Sequence, residues 1–252
     1  MTADEALRRL QDRGLSAASS AVVVAHLTAA DAAGKPGHGL ARVPWLENLL
    51  EAASDPAALP ELVETSIGYE RWHGRGALGY LTLEAVCAGL ESDPPTRGRL
   101  VVCEACFPTG MLGGWARRVA GAGLVAVVTA TSPRRLPHPS GGPPLTGTNP
   151  IAIAVPSSGG APIVTDVSMG AVTHGDVLAG RATPEELVPF GGPLAHKAFA
   201  LAVGVELLVA ALAGPEPGAV VLAARPDHDP VPAFREFAAG RSLPGDGVTS
   251  GV

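Results

Sequence analysis

The sequence predicts an α/β chain that opens with a helical segment, and three patterns carry that expectation. Residues 3–13 and 17–33 place Leu7, Leu10 and Leu15, then Val23, Leu27 and Ala30, at helical spacing. From residue 99 onward, apolar runs of strand length recur: RLVVCEA, LVAVVTAT, IAIAVP, PIVTDV and AVVLAA. Between them lie helix-like stretches, one starting on glycines (PTGMLGGWARRVAGAG) and one long and apolar (AHKAFALAVGVELLVAALA).

In chain order, the charged opening MTADEALRRLQDRG reads as the first helix, and the second ends at the glycine loop 34–39. Pro44 to Ala53 predicts a third helix, closed by an Asp/Pro turn at 54–60. Residues 60–70 read as one strand, and Arg75-Gly-Ala-Leu-Gly79 opens a helix to Gly89. Residues 132–149, SPRRLPHPSGGPPLTGTN, look structureless; loops of this length in compact domains are functional or disordered. The strands on either side of Ser157-Ser-Gly-Gly160 read as a hairpin or as neighbours, and 169–180 as a short helix. Residues 195–213 are apolar at almost every position except His196, Lys197 and Glu206, so this helix is expected at the centre of the molecule. A last strand, the short helix PAFREFAAG and a mobile Gly/Ser-rich tail complete the chain.

Composition narrows the function. A net charge of −6 with no basic run argues against nucleic acid as the main partner, and 4% aromatics leaves no base-stacking platform. No apolar run looks long enough to span a membrane, and the charged N-terminus is unlike a targeting segment. A cytoplasmic protein is expected. The three cysteines, Cys87, Cys103 and Cys106, are odd in number and read as reduced thiols. Cys103 and Cys106 have C-x-x-C spacing, but Cys103 ends an apolar run and no second pair supplies two more metal ligands. No metal site is expected.

The chemistry concentrates in Asp31-Ala-Ala-Gly-Lys-Pro-Gly-His-Gly-Leu-Ala-Arg42-Val-Pro. His38 lies between two glycines, which weaken both helix and strand and leave an imidazole unobstructed. Arg42, four residues on, can grip a carboxylate in a bidentate way. Together they suit acid/base work on a small acidic substrate. The plain alternative is a glycine-rich loop that happens to hold one of seven histidines.

Four segments then stand in one order: the Gly-His-Gly-x-x-Arg loop, the glycine-rich helix start at Gly110 to Gly114, the turn Gly147-Thr148-Asn149-Pro150, and GGPLAHKAFALAVGVELL. This order resembles the malate/L-lactate dehydrogenase family, which includes ureidoglycolate and sulfolactate dehydrogenases and piperideine-carboxylate reductases. DAAGKPGHGLARVPW is similar to the family's D-x-x-G-x-x-S-H-G-x-x-R-x-P segment, with Gly37 where serine is usual. The G-T-N-P turn is the strongest match, and HKAFALAVGVELL puts Lys197 and Glu206 in register with the family's K-G-Y-G-L-A-x-x-V-E-x-L helix. The C-terminal LPGD is similar to the family's L-P-G-E.

The resemblance implies a non-Rossmann α/β fold with a mixed sheet, and no G-x-G-x-x-G joins a strand to a helix here. Three segments follow: 1–75, helical with the His/Arg loop; 76–214, an α/β lobe for cofactor and substrate; and 215–252, packing back on the first. It also implies a homodimer and hydride transfer between NADH or NADPH and a small 2-oxo or 2-imino acid, a carboxylate substrate. His38 would be the proton donor, Arg42 the carboxylate clamp and Asp166 a partner of His38 or of the cofactor. Thr109, Gly110, Gly113, Gly147, Thr148, Asn149 and Lys197 would contact the cofactor.

The departures open a second reading. Pro108 or Thr109 stands where the family has a histidine, and Asp166-Val-Ser-Met-Gly170 lacks the usual Thr-Ser pair. The connection to the long helix is also short. These leave open a chain that holds no dinucleotide and performs acid/base chemistry alone, as an isomerase, lyase or cyclase. Residue by residue, Thr109 is a phosphate contact or a plain N-cap, Lys197 an anion contact or a surface cation, and Glu206 a structural partner. His138, His174 and His228 read as surface residues.

Overall fold

The computed structural model describes residues 1–247. Two helices, α1 (Ala3–Asp12) and α2 (Ala17–Ala32), are each started by a hydroxyl. The Thr2 side chain accepts from the Glu5 N–H, and that of Ser16 from the Ser19 N–H, satisfying donors a helix start leaves free. Two tight turns, Pro36–His38 and Leu40–Arg42, lead into α3 (Val43–Glu51). The single strand expected at 60–70 is a hairpin, β1 (Glu61–Ser66) and β2 (Tyr69–His73), turning at Ile67-Gly68. Gly68 has φ +75°, the left-handed conformation such a turn needs.

Then come α4 (Gly79–Ser92), β3 (Gly98–Glu104), α5 (Leu112–Gly121) and β4 (Val125–Ala130). The 132–149 stretch is not structureless: β5 (Leu136–Pro137) and β6 (Pro144–Thr146) pair within it. They are followed by β7 (Ile151–Val155), β8 (Ile163–Val167), α6 (His174–Leu178), α7 (Ala195–Ala213), β9 (Ala219–Ala224) and α8 (Val231–Phe237). β7 and β8 pair as an antiparallel hairpin.

Seven strands form one mixed sheet in the order β1-β2-β3-β9-β4-β7-β8. Only β2 and β3 run parallel; the other neighbours are antiparallel. Strands from all three sequence segments share this sheet, and β9 sits at its centre.

Side-chain alternation splits β3 and β9 between two faces. Val101, Cys103, Val221 and Ala223 face the main core, which includes Leu10, Leu27, Leu46, Leu83 and Trp115 from the first five helices. Val102 and Val220 face the other way, onto Val205, Val209 and Ala213 of α7. Cys87, Cys103 and Cys106 are all free and buried, and burial pushes the Cys87 thiol up to about 12.

The apolar helix is therefore not central, contrary to its composition. Ala198, Ala202, Val205, Val209 and Ala213 are buried, whereas Leu201, Leu207 and Leu208 are 56%, 64% and 48% exposed. An all-round apolar helix is buried by something, and here the sheet covers one side alone. Gly192–Ala213 is also long and apolar enough by length and composition to cross a membrane, which corrects the expectation that no such run exists. The tail expected to be mobile is anchored at Pro244 and Asp246: the Pro244 carbonyl accepts from Val164 N–H, and Asp246 pairs with Arg235 at 2.9 Å. Residues 248–252 lie outside the described part.

Candidate active site

The His38 loop is pinned at both ends. Asp31, near the end of α2, accepts from the Leu40 N–H at 2.9 Å, and the two turns close on backbone bonds from the His38 N–H to the Lys35 carbonyl and from the Arg42 N–H to the Gly39 carbonyl. The start of α6 presses on the loop from the other side. Thr173 caps that helix in a capping box with Asp176. A Cβ on Gly37 would collide with the Thr173 hydroxyl and the Asp176 carboxylate. Glycine at 37 thus follows from the approach of α6.

His38 opens on a cleft of about 460 Å³. Its Nδ1 is shut off from solvent and has no hydrogen-bond partner. Burial first, then the neighbouring charges of Arg42 and Lys35, lower its pKa from 6.5 to about 4, against the opposing pull of Asp166 and Asp176. At neutral pH the free imidazole is uncharged and ready to accept a proton.

Arg42 is held rigidly. Its guanidinium stacks over the Trp45 ring, 4.2 Å from the centroid, and Nη1 donates to the Gly37 carbonyl at 3.3 Å. Its Nε is buried without a partner. Asp166 stands where the smaller cleft meets a larger one of about 700 Å³. Its Oδ2 accepts from Lys35 Nζ at 2.8 Å and from the Gly113 N–H at 3.0 Å. Asp166 thus ties the loop to the start of α5 and makes no hydrogen bond to His38 among the described residues.

The other expected site residues divide into two groups. Thr109, Gly110 and Thr148 line the smaller cleft, and Gly113 the larger. Thr109 is not the N-cap of α5; Met111 occupies that position, and the Thr109 carbonyl accepts from the Trp115 indole. Gly147, Asn149 and Lys197 line neither cleft. Asn149 is fully buried, its amide donating to Thr146, to the Ala202 carbonyl and to Glu206 at 2.7 Å. Glu206 also accepts from the Thr146 hydroxyl and the Gly147 N–H, the structural pairing its place in an apolar helix called for. This network ties α7 to the loop. Lys197 is exposed on the first turn of α7.

Several residues of the smaller cleft escaped the sequence reading, His174 and Arg135 among them. His174, taken for a surface residue, is half-buried at the start of α6, edge-on to Trp45. Burial, with Arg135 and Arg42 nearby, lowers its pKa to about 4. The Thr173-x-x-Asp176 capping box was the available signal, since it places His174 on a helix start. Arg135 lines the same cleft from the head of β5.

Residues 3–186 match the malate/L-lactate dehydrogenase family. The chain is 31% identical over 237 residues to a Delta(1)-pyrroline-2-carboxylate/Delta(1)-piperideine-2-carboxylate reductase of Pseudomonas putida, covering 81% of this chain and 67% of that one. It is 30% identical over 242 residues to a (2R)-3-sulfolactate dehydrogenase (NADP(+)) of Chromohalobacter salexigens, covering 83% and 69%. The structure superposes on the delta1-piperideine-2-carboxylate reductase of Pseudomonas syringae pvar. tomato with a TM-score of 0.83 at 24% identity, over 98% of this chain and 90% of that one. The chain belongs to the malate/L-lactate dehydrogenase family and has its fold.

Proposed function

We propose, from this family membership and the geometry of the smaller cleft, that the protein is a cytoplasmic, homodimeric NAD(P)H-dependent reductase of a small 2-oxo acid or cyclic 2-imino acid. The observation that carries the reading is an imidazole with an unpartnered buried Nδ1 beside a guanidinium with an unpartnered buried Nε. A substrate carboxylate on Arg42 would set the neighbouring carbonyl or imine against His38. His38 then delivers the proton to the oxygen or nitrogen as C2 is reduced, and takes it back in the reverse direction. Asp166 and Lys35 hold the loop and α5 in register, which fixes the ring.

The residues present fit a dinucleotide. The larger cleft adjoins the smaller at Lys35 and Asp166. Arg117 reaches its wall with one buried Nη1 lacking a partner, and Gly121 in the same wall carries no side chain and faces open space. Arg117 would hold a phosphate there, whereas Arg118 is already committed to Glu84 and Glu91. When bound, the cofactor supplies the hydride for C2. The half-covered α7 gives the homodimer its support, since Leu201, Leu207 and Leu208 form an apolar outer face.

The test is calorimetry with NADH and NADPH, followed by reduction of pyruvate, oxaloacetate, and pyrroline- and piperideine-2-carboxylate. His38→Ala should lower the rate by about 10²–10⁴ with the fold intact. Arg42→Lys should be damaging although it keeps the charge, because the fork geometry is lost. Binding of neither dinucleotide, or full activity in His38→Ala, would overturn the reading.

A further inference from the structure

Two ligands that exchange a hydride must touch, so the reacting carbon lies where the two clefts meet. Among the described residues the two linings have only Lys35 and Asp166 in common. No motif in the sequence singled out Lys35. Its backbone belongs to the turn that carries the imidazole: its carbonyl accepts from the His38 N–H at 2.9 Å, and its own N–H donates to the Ala30 carbonyl of α2 at 2.9 Å. The side chain crosses to β8 and donates to Asp166 Oδ2 at 2.8 Å. That is the one hydrogen bond its ammonium makes among the described residues, and an ammonium carries three donors. The Lys35 side chain is 38% exposed and both clefts border it, so its remaining donors face the space they share. Asp166 Oδ2 also accepts from the Gly113 N–H at the start of α5, which anchors the ion pair at the junction.

Negative charge builds on a carbonyl oxygen as its carbon takes up a hydride. At this junction that charge would face the Asp166 carboxylate unless a cation stood between them. The oxygen has two lone pairs, and proton delivery from His38 uses one. We propose that Lys35 is a further catalytic residue, its ammonium donating a hydrogen bond to the other lone pair of the C2 oxygen of a 2-oxo acid and stabilising the charge that develops there. The hydride forms the C2–H bond, the π pair of the carbonyl moves onto oxygen, and the proton from His38 closes the O–H bond. The acid is reduced and the hydride donor oxidised, while Lys35 keeps its three protons. This deepens the reductase reading and rests on it for the hydride.

The experiment separates a contact to the carbonyl from a purely structural tie between the loop and β8. 2-Oxobutanoate and butanoate differ only in the oxygen on C2. With NAD+ or NADP+ present neither acid turns over, so calorimetry reads binding alone. Wild type should prefer 2-oxobutanoate by about tenfold, the scale of one hydrogen bond to a charged group. Lys35→Met should erase that preference while butanoate binds as before; a loosened loop would instead weaken both acids together, since both need Arg42. Lys35→Cys treated with 2-bromoethylamine rebuilds an ammonium of nearly the same length and should recover the preference, with the buried Cys87, Cys103 and Cys106 left unreacted. In turnover of the best-reduced 2-oxo acid, Lys35→Met should lower kcat by about 10²–10³, the scale of one lost oxyanion donor, and leave the KM for the dinucleotide unchanged. Reduction at the wild-type kcat in Lys35→Met would overturn the proposal and leave the reductase reading standing. A Lys35-dependent preference for 2-oxobutanoate with no reduction of any acid would uphold the contact and overturn the reductase reading. A loss confined to the KM for the dinucleotide would assign Lys35 to the cofactor and overturn the proposal. So would equal weakening of both acids, binding of neither, or reduction confined to imino acids.

Discussion

The proton transfer proposed for His38 carries a pH dependence whose sign follows from the surroundings of the ring. Burial is the largest influence on the ring, Arg42 the next, and together they lower its pKa from 6.5 to about 4. At about 1.36 kcal/mol per pH unit, that is roughly 3 kcal/mol against the imidazolium in the free enzyme. Protonated His38 is then about one molecule in a thousand at pH 7. Reduction consumes that proton, so kcat/KM for reduction should fall about tenfold per pH unit between pH 5 and 8. The oxidation of the hydroxy acid needs the neutral ring, which is already present, so its kcat/KM should stay level over the same range. A substrate carboxylate on Arg42 cancels the second-largest depressing influence, so the kcat profile for reduction should lie at higher pH than that of kcat/KM. NMR titration of the His38 ring, assigned with His38→Gln, reads the same equilibrium without turnover and should give a midpoint near 4. A midpoint near 6.5, or an oxidation profile that bends there, would refute the account of the enclosed ring.

Three further outcomes follow from contacts described above. Asp166→Asn removes a negative charge that raises the His38 pKa, so the midpoint should drop further and reduction at neutral pH should slow; an unchanged titration would show that Asp166 does not act on the ring. Asn149→Ala strands the Ala202 carbonyl and Glu206 in a buried network, and should lower unfolding free energy by about 3 kcal/mol in urea titrations. Changing Leu207 and Leu208 to glutamine should shift sedimentation from dimer to monomer while far-ultraviolet circular dichroism is unchanged; a wild-type monomer at micromolar concentration would refute the covered-face argument.

The elements were legible where local periodicity and punctuation agreed. The spacing of Val23, Leu27 and Ala30 marks α2, and the continuous apolar run of β4 marks a strand of the sheet's interior. Residues 60–70 read as one strand because the turn of the hairpin carries Ile67, an apolar residue that is fully exposed. The position of α7 was illegible for a different reason. Composition says that a helix needs cover, but it does not distinguish a sheet from another surface. At the site, His38 and Arg42 were readable because they share one short loop. Arg135 and His174 reach the same cleft from far along the chain, and no local pattern links them to it. Gly37 looked like a lost serine, and only the approach of α6 explains it.

The central place of β9 also bears on how the chain is made. β3 and β4 never touch each other as ladder partners; each pairs with β9, which begins at Ala219. During synthesis, the strands on either side of the gap must wait, edges open, until β9 has emerged. Such long-range closure slows folding and exposes strand edges in the interval. A nascent chain halted before residue 219 would hold every residue assigned to the two clefts up to Asp166 and His174, yet lack the strand that joins their walls. Activity should therefore appear in a single step once β9 has emerged, and a ribosome-arrest series would show it.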